Sequence, residues 1–164
     1  MGKQLYFLAE LDASSYPLFA AAAQAVRDLG IADRQTPGLP PHITLASCSL
    51  QLEGEALARL DTLGRETRPV ALRFDSIGLF GLRVAFCAPV PGRELLALHR
   101  RAALREEGPW TPHATLLITE REEEMLRALP VLTKIMGPFG ACITAVSLWE
   151  LWPARQLGRG VLEK

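Results

Sequence analysis

The sequence runs to 164 residues, 49% of them hydrophobic and 22% charged, with eighteen basic residues balancing eighteen acidic ones. That length fits one domain, and the composition excludes a disordered or fibrous chain. Zero net charge excludes the broad positive field with which a protein grips long nucleic acid through many phosphates, so any nucleic-acid substrate should be short or touched locally.

The opening stretch MGKQLYFLAELD reaches Glu10 before an apolar core of signal-peptide length has formed, and residues 4–11 read as a short buried strand. Ser14 or Ser15 offers a helix N-cap with Pro17 in the first turn. Leu18, Ala21, Ala22, Ala25, Val26 and Leu29 then recur at helical spacing up to Gly30. Residues 32–41, rich in Pro and Gly, form a loop that delivers the chain into HITLASCSL, a second strand. A helix is predicted over 53–67, and two strands over 70–80 and 82–90 form a hairpin turning near Gly78 or Gly81. RELLALHRRAALREEG is an amphipathic helix ending at Gly108. A strand over 110–119 follows, then a helix over 121–136 broken or bent near Pro130, and residues 142–152 close the chain as a last long strand. No stretch approaches the ~20 apolar residues of a membrane span.

Two of the three histidines occupy the same five-residue frame, Pro41-His42-Ile43-Thr44-Leu45 and Pro112-His113-Ala114-Thr115-Leu116. The frame recurs at matching places in two similar halves, which makes internal duplication the simplest reading. In a strand, residues i and i+2 share a face, so His42 lies with Thr44 and His113 with Thr115, while Ile43, Leu45, Ala114 and Leu116 face the core. Two such strands brought together would line a cleft with two imidazoles and two hydroxyls. In-line attack on a phosphodiester needs a base on one side of phosphorus and an acid on the other. A pair of groups with ordinary pKa near ~6.5 supplies both, and the threonine hydroxyls can hydrogen-bond the non-bridging oxygens.

The remaining candidates are weaker. Trp110 and Phe80 could each stack on a base or simply pack in the core. Arg83 and Arg73 in the central hairpin, and Arg34 in the loop before the first motif, could reach a phosphate. His99 sits on a helix without a matching partner and is assigned nothing, and Arg100, Arg101 and Arg105 read as a solvated helix face. Zinc needs three or four ligands, and no acid or cysteine stands at a fixed short spacing from either motif histidine, so no metal site is expected. No GxGxxG or GxxxxGK[ST] loop occurs, so no nucleotide cofactor is expected either. Cys48, Cys87 and Cys142 are odd in number and lack CxxC spacing, which points to reduced thiols and a cytoplasmic protein.

The motifs HITL and HATL resemble the signature of the 2H phosphoesterase superfamily, two H-x-[ST]-x motifs in a duplicated fold. The resemblance extends over nearly the whole chain, through the strand-helix opening, the SIGLFGLRVAFCAPV hairpin and the closing ITAVSLWEL strand, and is strongest to the bacterial 2'-5' RNA ligase-like branch. Where many members of that branch carry a basic residue shortly after the second motif, this chain has Leu117 and Ile118.

The resemblance implies an α+β fold for residues 1–164. This would be a single bilobal domain of pseudo-twofold halves, with antiparallel sheets lining a central cleft and helices outside. It implies a metal-independent phosphodiesterase acting on 2',3'-cyclic phosphate RNA ends or related cyclic nucleotides, together with reversible 2'-5' RNA ligation. The site residues would be His42, Thr44, His113 and Thr115. The partners implied are short RNA ends or cyclic nucleotides as substrates, with no membrane and no obligate protein partner. The reading from a different class is a catalytically silent RNA-end or nucleotide-binding module, which turnover of a cyclic nucleotide would tell apart.

Overall fold

The computed structural model of the protein describes residues 2–163. Its long elements are strands β1 (Gln4–Leu11), β2 (His42–Ser49), β3 (Val70–Phe80), β4 (Val84–Pro89), β5 (Ala114–Ile118), β6 (Phe139–Leu151) and β7 (Arg155–Val161), and helices α1 (Tyr16–Asp28), α2 (Glu53–Glu66), α3 (Arg93–Ala102) and α4 (Glu122–Ile135). Every strand pairing is antiparallel, in the order β2-β1-β6-β3-β4-β5 with β7 also on β6. The expected α+β class and antiparallel strands are both present, and the strands join into one sheet. The junction is β6, whose beginning pairs with β3 while the rest pairs with β1 and β7.

β1 shows how the sequence divides the two faces of this sheet. Leu5, Phe7, Ala9 and Leu11 alternate into the main core with 1% exposure or less, as period-two patterning requires. Leu8 and Glu10, on the opposite face, are buried as well, so β1 is covered on both faces. Helix placement crosses over. α1 follows β1 yet packs against α4 and β5, whereas α3 follows β4 yet packs against α2 and β2. The edge strands β2 and β5 come into contact with each other.

Several predicted bounds differ from those observed. α3 stops at Ala102 rather than Gly108. The Arg59 guanidinium donates to the carbonyls of Arg101 and Ala103 at 2.6 and 2.9 Å, satisfying acceptors that a helix end leaves open, and the chain then runs on without regular structure to His113. β5 is correspondingly short. α4 runs unbroken through Pro130, because burying Met125, Ala128 and Leu132 on one face outweighs the loss of one backbone donor. The hydroxyl of Ser15, at the N-cap of α1, bonds the Asp12 carbonyl at 2.8 Å instead of a helical N–H.

The chain also does not end its sheet at Trp152: β7 follows. That segment, RQLGRGV, has little apolar alternation because α2 lies directly on it. A Cβ at Gly160 would sit 3.1 Å from the Leu60 carbonyl oxygen, and one at Gly158 would sit 2.9 Å from the Leu60 side chain. Both glycines are there for close helix-strand approach.

Cys48, Cys87 and Cys142 are free thiols, and burial pushes the pKa of Cys87 up to about 12. Among the described residues no helix is long and apolar enough to cross a membrane.

Candidate active site

His42 is the first residue of β2, and His113 immediately precedes β5. Each imidazole is fixed in the same way. Nδ1 of His42 lies 2.7 Å from the carbonyl oxygen of Pro40, and Nδ1 of His113 lies 2.8 Å from that of Thr111. A carbonyl only accepts, so Nδ1 carries the proton in both rings and, in a neutral ring, Nε2 holds the lone pair. The proline at the intervening position, Pro41 or Pro112, accounts for the repetition: it fixes its own φ and keeps the residue before it extended, which aims that carbonyl back at the ring.

A second repeated feature follows each motif. The β1-β2 register shifts so that Phe7 faces Ala46 while Leu8 faces Thr44, leaving Leu45 over. The β4-β5 register shifts so that Ala85 faces Leu117 while Phe86 faces Thr115, leaving Leu116 over. Each motif strand therefore carries a bulge at the leucine just after its threonine, a device that re-aims neighbouring side chains and ends regular pairing.

His42, Thr44 and Thr115 line one cavity of about 370 Å³. Its walls come from the sheet face opposite the main core, through Tyr6, Leu8 and Leu151, and from Phe19 of α1, Leu39 of the preceding loop and Trp152. Trp152 is 58% exposed, yet its Nε1–H donates to the Thr36 hydroxyl at 2.6 Å, and its ring lies 6.2 Å from that of Tyr6. His42 aside, no described residue that lines the cavity has an ionisable acid or base side chain apart from the Tyr6 phenol.

His113 stands outside that lining, against the rings of Phe80 at 4.9 Å and Phe86 at 5.3 Å. Burial is the main cause that holds the pKa of His42 below the ordinary histidine value. The Pro40 carbonyl opposes the shift, the charge of His113 pushes in the same direction as burial, and Glu10 opposes it. Glu10 lies opposite His42 across the β1-β2 pair, is 5% exposed, and accepts from Arg159 Nε at 2.8 Å.

The structure thus brings His42, Thr44 and Thr115 into one cavity, and His113 close enough to affect the protonation of His42. The five further residues singled out from sequence do not line the cavity, and one of them, Arg73, is ion-paired with Asp75 at 2.6 Å. Phe80 touches His113. Trp110 lies behind β2, stacked on His99 at 3.9 Å with the planes 4° apart, and its Nε1–H donates to the Thr44 carbonyl at 3.0 Å. His99, assigned nothing from sequence, reaches the Leu45 carbonyl with Nδ1 at 2.6 Å. Arg34 is ion-paired with Glu120 at 3.8 Å, and Arg83 is exposed in the β3-β4 turn. Sequence reasoning missed Tyr6, Trp152 and Glu10. Tyr6 and Glu10 carried a period-two signal, since β1 alternates around them, but Trp152 beyond the end of β6 had none.

The family profile described as the 2'-5' RNA ligase superfamily matches residues 16–151, and the protein belongs to that superfamily. Among solved structures, E. coli LigT complexed with 3'-AMP is similar with a TM-score of 0.61 at 16% identity, covering 99% of each chain. Its apo form is similar with a TM-score of 0.61 at 18% identity over 100% of each chain. The protein TT0787 of Thermus thermophilus is similar with a TM-score of 0.64 at 16% identity over 97% of each chain. At such identities the likeness shows the fold, a LigT-type antiparallel sheet with four helices. No curated protein matches the chain.

Proposed function

We propose that the protein is a metal-independent phosphodiesterase that opens 2',3'-cyclic phosphates on short RNA ends or cyclic nucleotides in the cytoplasm, with 2'-5' ligation as the same chemistry run with a 5'-hydroxyl. His42, Thr44, His113 and Thr115 carry it, within one bilobal domain whose two pseudo-equivalent halves contribute one motif each. The observation that carries this reading is the matched pair of imidazoles, each with Nδ1–H held by a backbone carbonyl and Nε2 left to exchange a proton.

The electrostatics divide the two roles. A lowered pKa keeps His42 neutral at neutral pH, so its Nε2 takes a proton from water as the water oxygen bonds to phosphorus. His113 gives a proton to the ribose oxygen as the bond from that oxygen to phosphorus breaks. The product is a phosphomonoester with one free ribose hydroxyl, and proton exchange with solvent resets the pair. Thr44 and Thr115 donate to the non-bridging oxygens where charge grows. The cavity beside them, lined by Tyr6, Trp152 and Leu39, accommodates the uncharged part of a nucleotide. The nucleotide named for one LigT structure, 3'-AMP, supports a nucleotide as the class of ligand.

The test is hydrolysis of 2',3'-cyclic AMP in ¹⁸O-water with EDTA present, followed by product analysis. One ¹⁸O incorporated into a single 2'- or 3'-phosphate isomer is the expected result. Tight binding without turnover would favour the silent binding module. Loss of activity to EDTA with rescue by one divalent ion would replace the metal-independent mechanism.

A further inference from the structure

β2 and β5 end the main path of the sheet, from which β7 branches at β6, and an edge strand presents backbone N–H and C=O groups that lack a ladder partner. In this protein each edge is served by the loop that leads into the other motif. The loop at 30–41 ends at His42, yet Asp33 Oδ1 accepts the backbone N–H of Ile118 on β5 at 3.1 Å, and the Arg34 N–H donates to the Ile118 carbonyl at 2.9 Å. The loop at 103–112 ends at His113, yet Glu107 Oε1 accepts the backbone N–H of Ser47 on β2 at 2.9 Å, and Trp110 holds the Thr44 carbonyl. Ser47 is the fifth residue after His42, and Ile118 is the fifth after His113. Two carboxylates therefore grip the same position of the motif frame, each from the opposite side.

We propose that Asp33 and Glu107 are positioning residues that brace the two motif strands crosswise, so that the setting of each imidazole depends on the loop entering the other motif. Both anchors are built for the task. The Asp33 carboxylate is itself held by the backbone and side-chain N–H groups of Gln35, at 3.0 and 2.7 Å, in an Asx-type turn that fixes its direction. The Glu107 loop is anchored beside the bulge by the Trp110 bond to the Thr44 carbonyl, and Trp110 is stacked at 3.9 Å on His99 of α3, which reaches the carbonyl of the bulged Leu45 itself. The α1 and α3 crossovers carry the loops to the opposite ends of the sheet. A reacting group displaced by ~1 Å can lose ~10²-fold in rate, so such braces would govern turnover without touching substrate.

The experiment uses ¹⁵N-labelled full-length protein, in which three histidines give a readily assigned set of imidazole signals. Asp33→Ala is expected to move the His113 signals more than those of His42, and Glu107→Ala to move those of His42 more than those of His113. Asp33→Asn and Glu107→Gln keep an oxygen acceptor and should leave both sets near their wild-type positions. On the phosphodiesterase reading, kcat for a cyclic nucleotide falls about 10-fold or more in each alanine variant with KM little changed, and the amide variants recover it. Signals that move at the histidine on the mutated loop's own side, or at neither, would overturn the proposal. Should one alanine variant fail to fold, the other decides it. The spectroscopic result does not depend on the phosphodiesterase reading, which an inactive wild type would sink while leaving the crossed braces intact.

Discussion

His42 and His113 hold their rings by the same bond, Nδ1 to the carbonyl two residues back, at 2.7 and 2.8 Å. The proton exchanged with substrate therefore belongs to Nε2 in both, and substitutions that mimic different ring nitrogens should separate structure from chemistry. Asparagine can reproduce the Nδ1 donor, so His42→Asn and His113→Asn should fold like wild type and yet lose about 10²- to 10⁴-fold in kcat. The double variant should be scarcely slower than the poorer single one, because groups that act as a unit are not additive. Thermal melts and steady-state kinetics on 2',3'-cyclic AMP check both parts.

Thr44 and Thr115 only donate hydrogen bonds to charge that grows in the transition state. Thr44→Val and Thr115→Val should cost about 10- to 10³-fold in kcat each, less than either histidine. A larger loss at threonine than at histidine, measured under saturating substrate, would reverse this division of roles.

The depressed pKa of His42 fixes the sign of two pH effects. The acid limb of the kcat/KM profile should fall below the ordinary histidine value of about 6.5, and that limb should be lost in His42→Asn. Stability should follow the same group. Between the unfolded value near 6.5 and the lower folded value the unfolded chain binds more protons, so stability present above about pH 6.5 is lost as pH falls through the folded pKa. Urea melts across that window should show this loss in wild type and a smaller one in His42→Asn.

Gly78 keeps the wall behind His113 in place. A Cβ there would lie 2.4 Å from the Phe86 ring, and Phe86 packs at 4.5 Å on Phe80 and 5.3 Å on His113. Gly78→Ala should therefore push Phe86 toward His113. The expected result is a kcat loss of about 10- to 10²-fold and an overpacking cost of about 1–3 kcal/mol, read by kinetics and denaturant titration.

Much of this was legible in the sequence because it rests on short-range periodicity. The paired Pro-His-x-Thr-Leu frames located both motif strands, and the strand-helix alternation located four helices and six of the seven strands of the described residues. What escaped was long-range. β7 is a strand because β6 offers it an edge and α2 presses on its glycines, neither of which is written within RQLGRGV. The bulges at Leu45 and Leu116 depend on the register of the neighbouring strand. The sequence assigns nothing to His99 and leaves Trp110 between base stacking and core packing, and only the fold, which stacks them behind the β2 edge, shows what they hold.

The cavity's lack of charged lining groups, His42 aside, predicts how the substrate is held. A protein that neutralises Z phosphates of a single strand loses affinity with salt at a slope of about −0.7Z. For 2',3'-cyclic AMP the logarithm of kcat/KM should change little with the logarithm of salt concentration, and adding nucleotides to the substrate should not steepen it much. A slope near about −2 or beyond on a short cyclic-phosphate RNA would place several phosphates on basic residues outside the cavity.

The central claim is that His42 and His113 act together on one cyclic phosphodiester, and the most direct measurement is the rate of 2',3'-cyclic AMP opening by wild type and by His42→Ala/His113→Ala, with EDTA in both. Wild type should turn over the substrate, and the folded double variant should be slower by at least about 10²-fold. A double variant as fast as wild type would contradict the account, whatever the fold and the family.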